Sequence, residues 1–522
     1  MFSLLTLSLL AASAFGQEPQ AAPASAETPA APSEPAGPVE ATAEEAPKPF
    51  KLSGVYTVWG LTQNNFLFGA AHPLDDAAYT VQMLRLRFEA QKPTYGVVAR
   101  VDAAQGWWGA DNSPNTETVT GVDADGNPTT NTIYNPNAYF TDKDTNYAIH
   151  VDRAYGWANL DLGIPVQVRL GRMGYQIGQK LVLDMDFDGV QIEATATEDV
   201  HISLWWAKIS EGLGAFTQPR GLLMSDEDVN ADADLLALIG TFTPGEHQID
   251  AFAIAYWDRS GDGTATYYPQ GLGYLRSRWQ PNITQVLALG VSADLKFDVG
   301  EGLEIQGEAD VLVGNDDVAN TDHSAGMLDI NNGNLFGWNG YLRANQHVSE
   351  PLSLGLAFGI GSGDPDKTSG SGNINKVQTM GFFPLTNVWE DSVMPDIAGI
   401  SPQGLGSPVS RGYRELENTT ALQLFSTLQP IEKLKLMVSG TYLLATTPIQ
   451  GFDATGAPAG DGATDLGFEV DLNGTYTIAK GLSATALTGV FVPGAAAANL
   501  MTGDDTNRDI AWEIKLVAVA KF

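Results

Sequence analysis

The chain has no cysteine among its 522 residues, which excludes disulfides and thiolate metal sites outright. Basic residues are scarce, 28 against 62 acidic ones, for a formal net charge of −34. Nucleic-acid binding needs clustered cations to displace phosphate counterions, so this balance excludes it. After the first sixteen positions no apolar run approaches the roughly 18 residues that a spanning helix requires. The six histidines, His72, His150, His201, His247, His323 and His347, are scattered without ligand spacing. No nucleophile–histidine–acid arrangement can be assembled, so no catalytic residue and no cofactor are expected.

What is present is strand chemistry. Hydrophobic residues make up 43% of the chain, too many for a disordered acidic protein, and 56 glycines accompany abundant Thr, Val and aromatics. Residues 1–16 read as a secretory signal, with an apolar stretch and small residues at Ala12, Ala14 and Gly16. Residues 17–49 hold eight prolines and six glutamates, a solvated spacer unable to bury a core. An exported chain without a helical anchor can enter a membrane only as a closed barrel.

Residues 50–522 repeat a unit of strand, short turn, strand and long polar loop. Tight turns recur at Lys92-Pro93-Thr94, Gly163-Ile164-Pro165, Glu198-Asp199, Pro244-Gly245-Glu246, Gly300-Glu301-Gly302, Glu350-Pro351, Pro430-Ile431-Glu432 and Ala479-Lys480-Gly481. Nine longer connections alternate with them, near 63–78, 106–146, 174–186, 211–231, 260–282, 314–335, 362–414, 447–463 and 493–507. The expected fold is all-β, a transmembrane antiparallel barrel of about 18 strands, with short periplasmic turns and long extracellular loops.

The last strand carries the pattern most clearly. Trp512, Ile514, Leu516, Ala518, Ala520 and Phe522 share one face, and Glu513, Lys515 and Lys521 the other. Phe88, Phe242, Phe297, Tyr476 and Phe522 fall at turn-proximal ends of apolar faces, and Trp338 and Trp512 at loop-proximal ends. Two aromatic girdles are a bilayer feature. The expected location is the outer membrane of a Gram-negative bacterium, among lipid and lipopolysaccharide. The strand ending in Phe522 would serve as the signal for the barrel-insertion machinery.

An 18-stranded barrel is too wide for wall side chains to fill, so the inward polar residues are expected to line a pore. Arg85, Arg87, Arg100, Arg153, Arg169, Arg172 and Arg343 fall on inward positions or strand ends, most of them on strands two to five. Asp294, Asp298, Glu304, Glu308 and Asp310 fall on strands ten and eleven, half a circumference away. An arginine wall facing an acidic wall would set a transverse field across the lumen. Local pairs such as Arg87–Glu89 and Arg100–Asp102 would weaken it. The expected function is passive passage of hydrophilic solutes, including anionic saccharides. The longest loop, from Gly361 to about Arg414, carries Phe382, Phe383 and Trp389 and is the candidate for an inward constriction.

The segment Val168-Arg169-Leu170-Gly171-Arg172, followed by Tyr175, Gly178 and Phe187-Asp188-Gly189-Val190, resembles the alginate-export family of outer-membrane porins. Leu84-Arg85-Leu86-Arg87 and Phe382-Phe383-Pro384 are similar to that family as well. The resemblance implies a monomeric 18-stranded barrel conducting an anionic polysaccharide or small solute. Its arginine-rich lumen would fall on Arg85, Arg87, Arg153, Arg169 and Arg172. A variant of this reading is an exopolysaccharide export pore docked on a periplasmic secretion complex. Met173 departs from the family pattern, and the acidic wall would repel a uronate polymer.

Two loop stretches have oxygen ligands at calcium-like spacing, around Asp123 and Asp125 and around Asp226 and Asp228. The first lacks the later glutamate of a complete calcium loop. Solvated surface loops account for both, and no metal site is expected.

Overall fold

The computed structural model describes residues 49–69, 77–105, 116–122, 128–134, 147–210, 233–258, 285–316, 333–364, 375, 377, 379–381, 383–390, 416–453 and 458–522. The proposed signal (1–16) and all but the last residue of the proposed linker (17–49) lie outside them. Among the described residues no helix is long and apolar enough to cross a membrane, which says nothing about strands.

Strands β1 (Phe50–Asn64), β2 (Ala77–Gln91) and β3 (Tyr95–Gln105) open the chain. A separate hairpin, β4 (Thr116–Val122) and β5 (Pro128–Tyr134), lies in the connection that follows. The barrel resumes with β6 (Tyr147–Asp161), β7 (Pro165–Gln176), β8 (Asp184–Thr197), β9 (Val200–Ser210), β10 (Ala233–Phe242) and β11 (Gln248–Asp258). It continues through β12 (Gln285–Phe297), β13 (Leu303–Asp316), β14 (Gly333–Ser349), β15 (Leu352–Gly361) and β16 (Thr419–Ile431). The last elements are β17 (Leu434–Phe452), β18 (Pro458–Ala479), β19 (Leu482–Pro493), the helix α1 (Ala495–Thr502) and β20 (Ala511–Lys521).

Eighteen of these strands form one antiparallel sheet in which each pairs with its successor, and β1 pairs with both β2 and β20. The sheet is a closed barrel. All eight expected tight turns join strands that pair with each other. At the closure the Gly54 N–H donates to the Phe522 carbonyl at 2.8 Å, and the Phe522 N–H returns to Gly54 at 3.0 Å. The Phe522 ring lies where a β-carbon on Gly54 would sit, so a larger residue there would displace it.

Alternation runs apolar outward. On β20 Leu516 is 58% exposed, while its inward neighbours Glu513 and Lys515 are an ion pair at 3.4 Å. On β12 Leu287, Leu289 and Val291 face out, with Ala288 and Ser292 buried inward. Phe88, Phe242, Phe297, Trp338, Tyr476 and Phe522 are all exposed on the outer face. A lipid-facing surface has this form, because hydrocarbon offers no partners to polar groups.

Three connections differ from expectation, the first being 106–146, which contains the β4–β5 hairpin. The 447–463 stretch is mostly strand, because β17 and β18 extend to Phe452 and Pro458. The 493–507 stretch contains α1, ended by Gly503 in the left-handed conformation at φ 75°. Alanine-rich and buried nearly all round from Ala496 to Met501, in one cluster with Phe491 and Leu466, this helix has a tertiary core that polar loop composition conceals.

Candidate functional site

The lumen is not the open tube that wall residues alone imply. Among the described residues, parts of at least two connections fold into it, and the space they leave is bordered by a ladder of alternating charge.

The ladder stands on β2, β3 and β6. Arg85 makes a two-pronged pair with Asp102, Nε to Oδ1 at 2.7 Å and Nη2 to Oδ2 at 2.5 Å. Arg100 pairs through Nε with Asp152, and Arg153 Nε donates to Asp186 Oδ1 at 3.0 Å. Longer contacts join the rungs, Arg85 to Asp152 at 3.8 Å and Arg100 to Asp186 at 3.7 Å. Asp152 reaches this position through a β-bulge. Arg100 pairs with Arg153 and Val101 with Val151, so Asp152 is the extra residue. Val151 is exposed outward and Asp152 is buried, so the bulge turns two consecutive charged residues inward.

The other expected arginines are divided. Arg87 pairs with Glu89 at 3.4 Å, as sequence proximity suggested. The expected Arg100–Asp102 pair does not form, because Asp102 is taken by Arg85. Arg169 donates to Gln191 at 3.3 Å, and Arg172 meets the exposed Asp188 at 3.4 Å. Arg343 lies apart on β14, its guanidinium 4.3 Å from the centre of the Phe425 ring.

The first inward element is the end of the β7–β8 hairpin. It leaves the wall at Gly171, where φ is +128° and a β-carbon would strike the Ala154 carbonyl. Its partner Gly189 lies so close to the Trp206 carbonyl that only glycine fits. The Tyr175 hydroxyl donates to that same carbonyl at 3.0 Å. Beyond this kink Met173, Tyr175, Ile177 and Phe187 pack on Ala207, Leu235, Phe252 and Ile254 of the inner wall. The opposite face, at Gly174 and Asp186, looks back on Arg153. At the turn the Gln179 N–H donates to Glu308, and its Nε2 reaches Asp294 at 3.1 Å.

The second is part of the β15–β16 connection, the segment singled out for inward folding. Met380 bridges Leu183 on the hairpin, with its N–H to the Val182 carbonyl at 2.8 Å. Further on, the N–H groups of Val388 and Trp389 donate to the two oxygens of Glu469 at 2.6 and 2.8 Å. Trp389 is fully buried, stacked on Phe491 at 5.1 Å and Phe68 at 6.3 Å. Phe383 meets Tyr341 edge-on at 4.5 Å. Phe382 lies outside the described residues.

The acidic wall is therefore not an open counterpart to the arginines. Glu308 and Asp310 are buried where the hairpin turn covers the wall. Asp294 holds Gln179 and Gln306, and Glu304 meets Asn345 at 3.3 Å and His347 at 3.8 Å. Asp298 is exposed near the short turn. Asp152, Asp186 and Glu469 were missed in the sequence. A bulge and a cross-lumen contact leave no local signature, but the spacing Glu469-Val470-Asp471 repeats Glu308-Ala309-Asp310 and could have been noticed. Asp123, Asp125, Asp226 and Asp228 lie outside the described residues. Among those described, no three His, Asp or Glu side chains gather as a metal cluster.

No protein-family model matches the chain, and no curated protein matches it. Solved structures do. A doubly substituted OccD1 (OprD) aligns over 92% of this chain and 97% of its own at 11% identity and a TM-score of 0.50. The likeness is one of fold. OccK8 (OprE) of Pseudomonas aeruginosa covers 91% of this chain and 98% of its own, at 12% identity and TM-score 0.47. OccAB3 of Acinetobacter baumannii covers 91% and 99%, at 9% and 0.49. These are Occ/OprD outer-membrane porins with 18-stranded barrels, and nothing in the similarities supports the alginate-export family.

Proposed function

We propose that this chain is an outer-membrane, porin-like channel for passive passage of small hydrophilic solutes. The observation that carries it is the charge-balanced ladder beside two inward-folded segments. Three arginines, Arg85, Arg100 and Arg153, interleave with three aspartates, Asp102, Asp152 and Asp186. Oriented charge at a narrow point, partly exposed on its arginine side, offers donors to a solute shedding part of its hydration shell. Because each arginine is already paired, the ladder suits neutral or zwitterionic solutes better than a polyanion. The apolar outer face fits a bilayer, with lipid and lipopolysaccharide around it. In this reading residues 1–16 direct export, 17–49 form a periplasmic spacer, and the Phe522 strand engages the insertion machinery.

The test is ion selectivity in planar bilayers. The combined variant Arg85→Gln, Arg100→Gln and Arg153→Gln leaves three aspartates without cationic partners. The zero-current potential should swing strongly toward cations, and uptake of zwitterionic solutes into liposomes should fall. An unchanged potential in a folded variant would place the ladder away from the conducting path.

A further inference from the structure

The second inner wall holds a group of oxygens that the hairpin alone does not satisfy. Glu308 and Asp310 point to the same side of β13, are 3% and 2% exposed, and lie within hydrogen-bonding reach of each other. The Gln179 N–H serves Glu308 Oε2 and the Leu181 and Val182 backbone lies close to the same carboxylate, yet Glu308 Oε1 and both oxygens of Asp310 have no hydrogen-bond donor in place. On the neighbouring strand Asn339 is the direct cross-strand partner of Asp310, and it is 4% exposed. Its Oδ1 is also without a donor. Cross-strand partners hold their β-carbons about 5 Å apart, so the Asn339 amide and the Asp310 carboxylate lie side by side on one face, within reach of a shared ion. On the other side Ser292, whose hydroxyl donates to Asp250 at 3.4 Å and keeps its oxygen lone pairs, is the partner of Glu308, and Gly290 leaves space that Asp310 Oδ1 enters.

The related pair on β18 is better served, although Asp471 Oδ1 there also has no hydrogen-bond donor among the described residues. There both oxygens of Glu469 take backbone N–H groups, and the Ser439 hydroxyl donates to Asp471 at 3.3 Å. Around Glu308 and Asp310 the acceptors outnumber the donors. Two adjacent buried carboxylates repel, and desolvation penalises each charge further unless a counter-charge is near. An all-oxygen set of two carboxylates, an amide carbonyl and a hydroxyl suits a hard cation. Calcium tolerates such irregular, largely dehydrated sets, whereas magnesium keeps its waters.

We propose that Glu308, Asp310 and Asn339, with Ser292 at the edge, form a calcium site beneath the β7–β8 turn. The ion would tie the hairpin end to the opposite wall through Glu308 and so hold the constriction in place. This inference stands independently of which solute the channel carries.

The test uses the full-length protein folded in detergent, with heat-modifiable gel mobility as the control for folding. Calcium-45 equilibrium dialysis should show about one tightly bound ion fewer per chain in Asp310→Asn than in wild type. The difference matters because a chain with 62 acidic residues also binds calcium weakly elsewhere. Asn339→Asp supplies a third carboxylate and should tighten binding at least several-fold. Equal retention by wild type and folded Asp310→Asn would overturn the proposal and leave a shared proton as the counter-charge. If Asp310→Asn does not fold, Asn339→Asp decides alone, and unchanged or weakened binding would overturn the site.

Discussion

Two stretches of the inner wall, β2–β3–β6 and β12–β13, place charged side chains on alternate inward positions, yet they end in different environments. On the first, acids and bases alternate across strands and each charge meets its opposite, so the ladder stays polar beside the lumen. On the second the inward charges are nearly all acidic, and the hairpin turn covers the central ones. Composition alone would call both walls pore-lining. The hairpin reaches both, so the difference lies in what neutralises the charges. A wall with counter-charges is neutralised by side-chain ion pairs even where Asp102 and Asp152 are buried, whereas a row of carboxylates is suited to holding backbone N–H groups of a segment crossing the barrel. Glu469 on β18 follows the second rule, gripping Val388 and Trp389.

Removing a large anchor on the covered side should have the greatest effect. Trp389→Ala empties a fully buried site between Phe68 and Phe491 and should cost about 3–5 kcal/mol in urea titrations of the refolded barrel. Single-channel conductance should rise with it, and an unchanged conductance would mean that the segment does not bound the pore. Glu469→Gln comes next. It removes the charge behind two backbone hydrogen bonds and should cost about 2–3 kcal/mol, with noisier open-channel current. If it costs no more than Glu304→Gln, at a partly exposed site, the distinction between covered and open acids fails.

Gly171→Ala tests the kink that takes the hairpin off the wall. At φ +128° any β-carbon is strained, and here it also meets the Ala154 carbonyl, so about 1–3 kcal/mol should be lost. Loss of the Tyr175 to Trp206 hydrogen bond should accompany it, read as a change in tyrosine fluorescence or hydrogen exchange at Trp206. Smallest of all should be Arg87→Gln on the ladder side. Its pair with Glu89 is partly exposed, so stability should change by less than about 1 kcal/mol, with a slight cation-ward drift in reversal potential. A large loss would show that Arg87 belongs to the ladder proper.

Much of the frame was legible. The eight turn signals marked real hairpins, and the parity of β20 was right from Trp512 to Phe522 because a period of two leaves no freedom once one face must be apolar. The inward fate of Trp389 was legible too, since a polar loop has no use for such aromatics unless they pack. The pairing of the ladder was not. Arg100 has Asp102 two residues away on its own strand, but it meets Asp152, which only a bulge in β6 turns inward. Asp186 reaches Arg153 because two glycines kink a hairpin, a contact 33 residues apart in the chain. The helix α1 sits in a stretch read as loop, because its stability comes from burial against β17 and β18.

Alternation and turn chemistry by themselves determine the barrel, its strand number and which face is apolar, because these depend on neighbours along one strand. Which charges face water, which are buried, and how wide the lumen remains depend on segments that leave the wall and cross it. Those contacts join residues far apart in the chain, 33 positions for Arg153 to Asp186, 81 for Val388 to Glu469 and 129 for Gln179 to Glu308. Nothing local encodes them, and only the closed barrel brings them together.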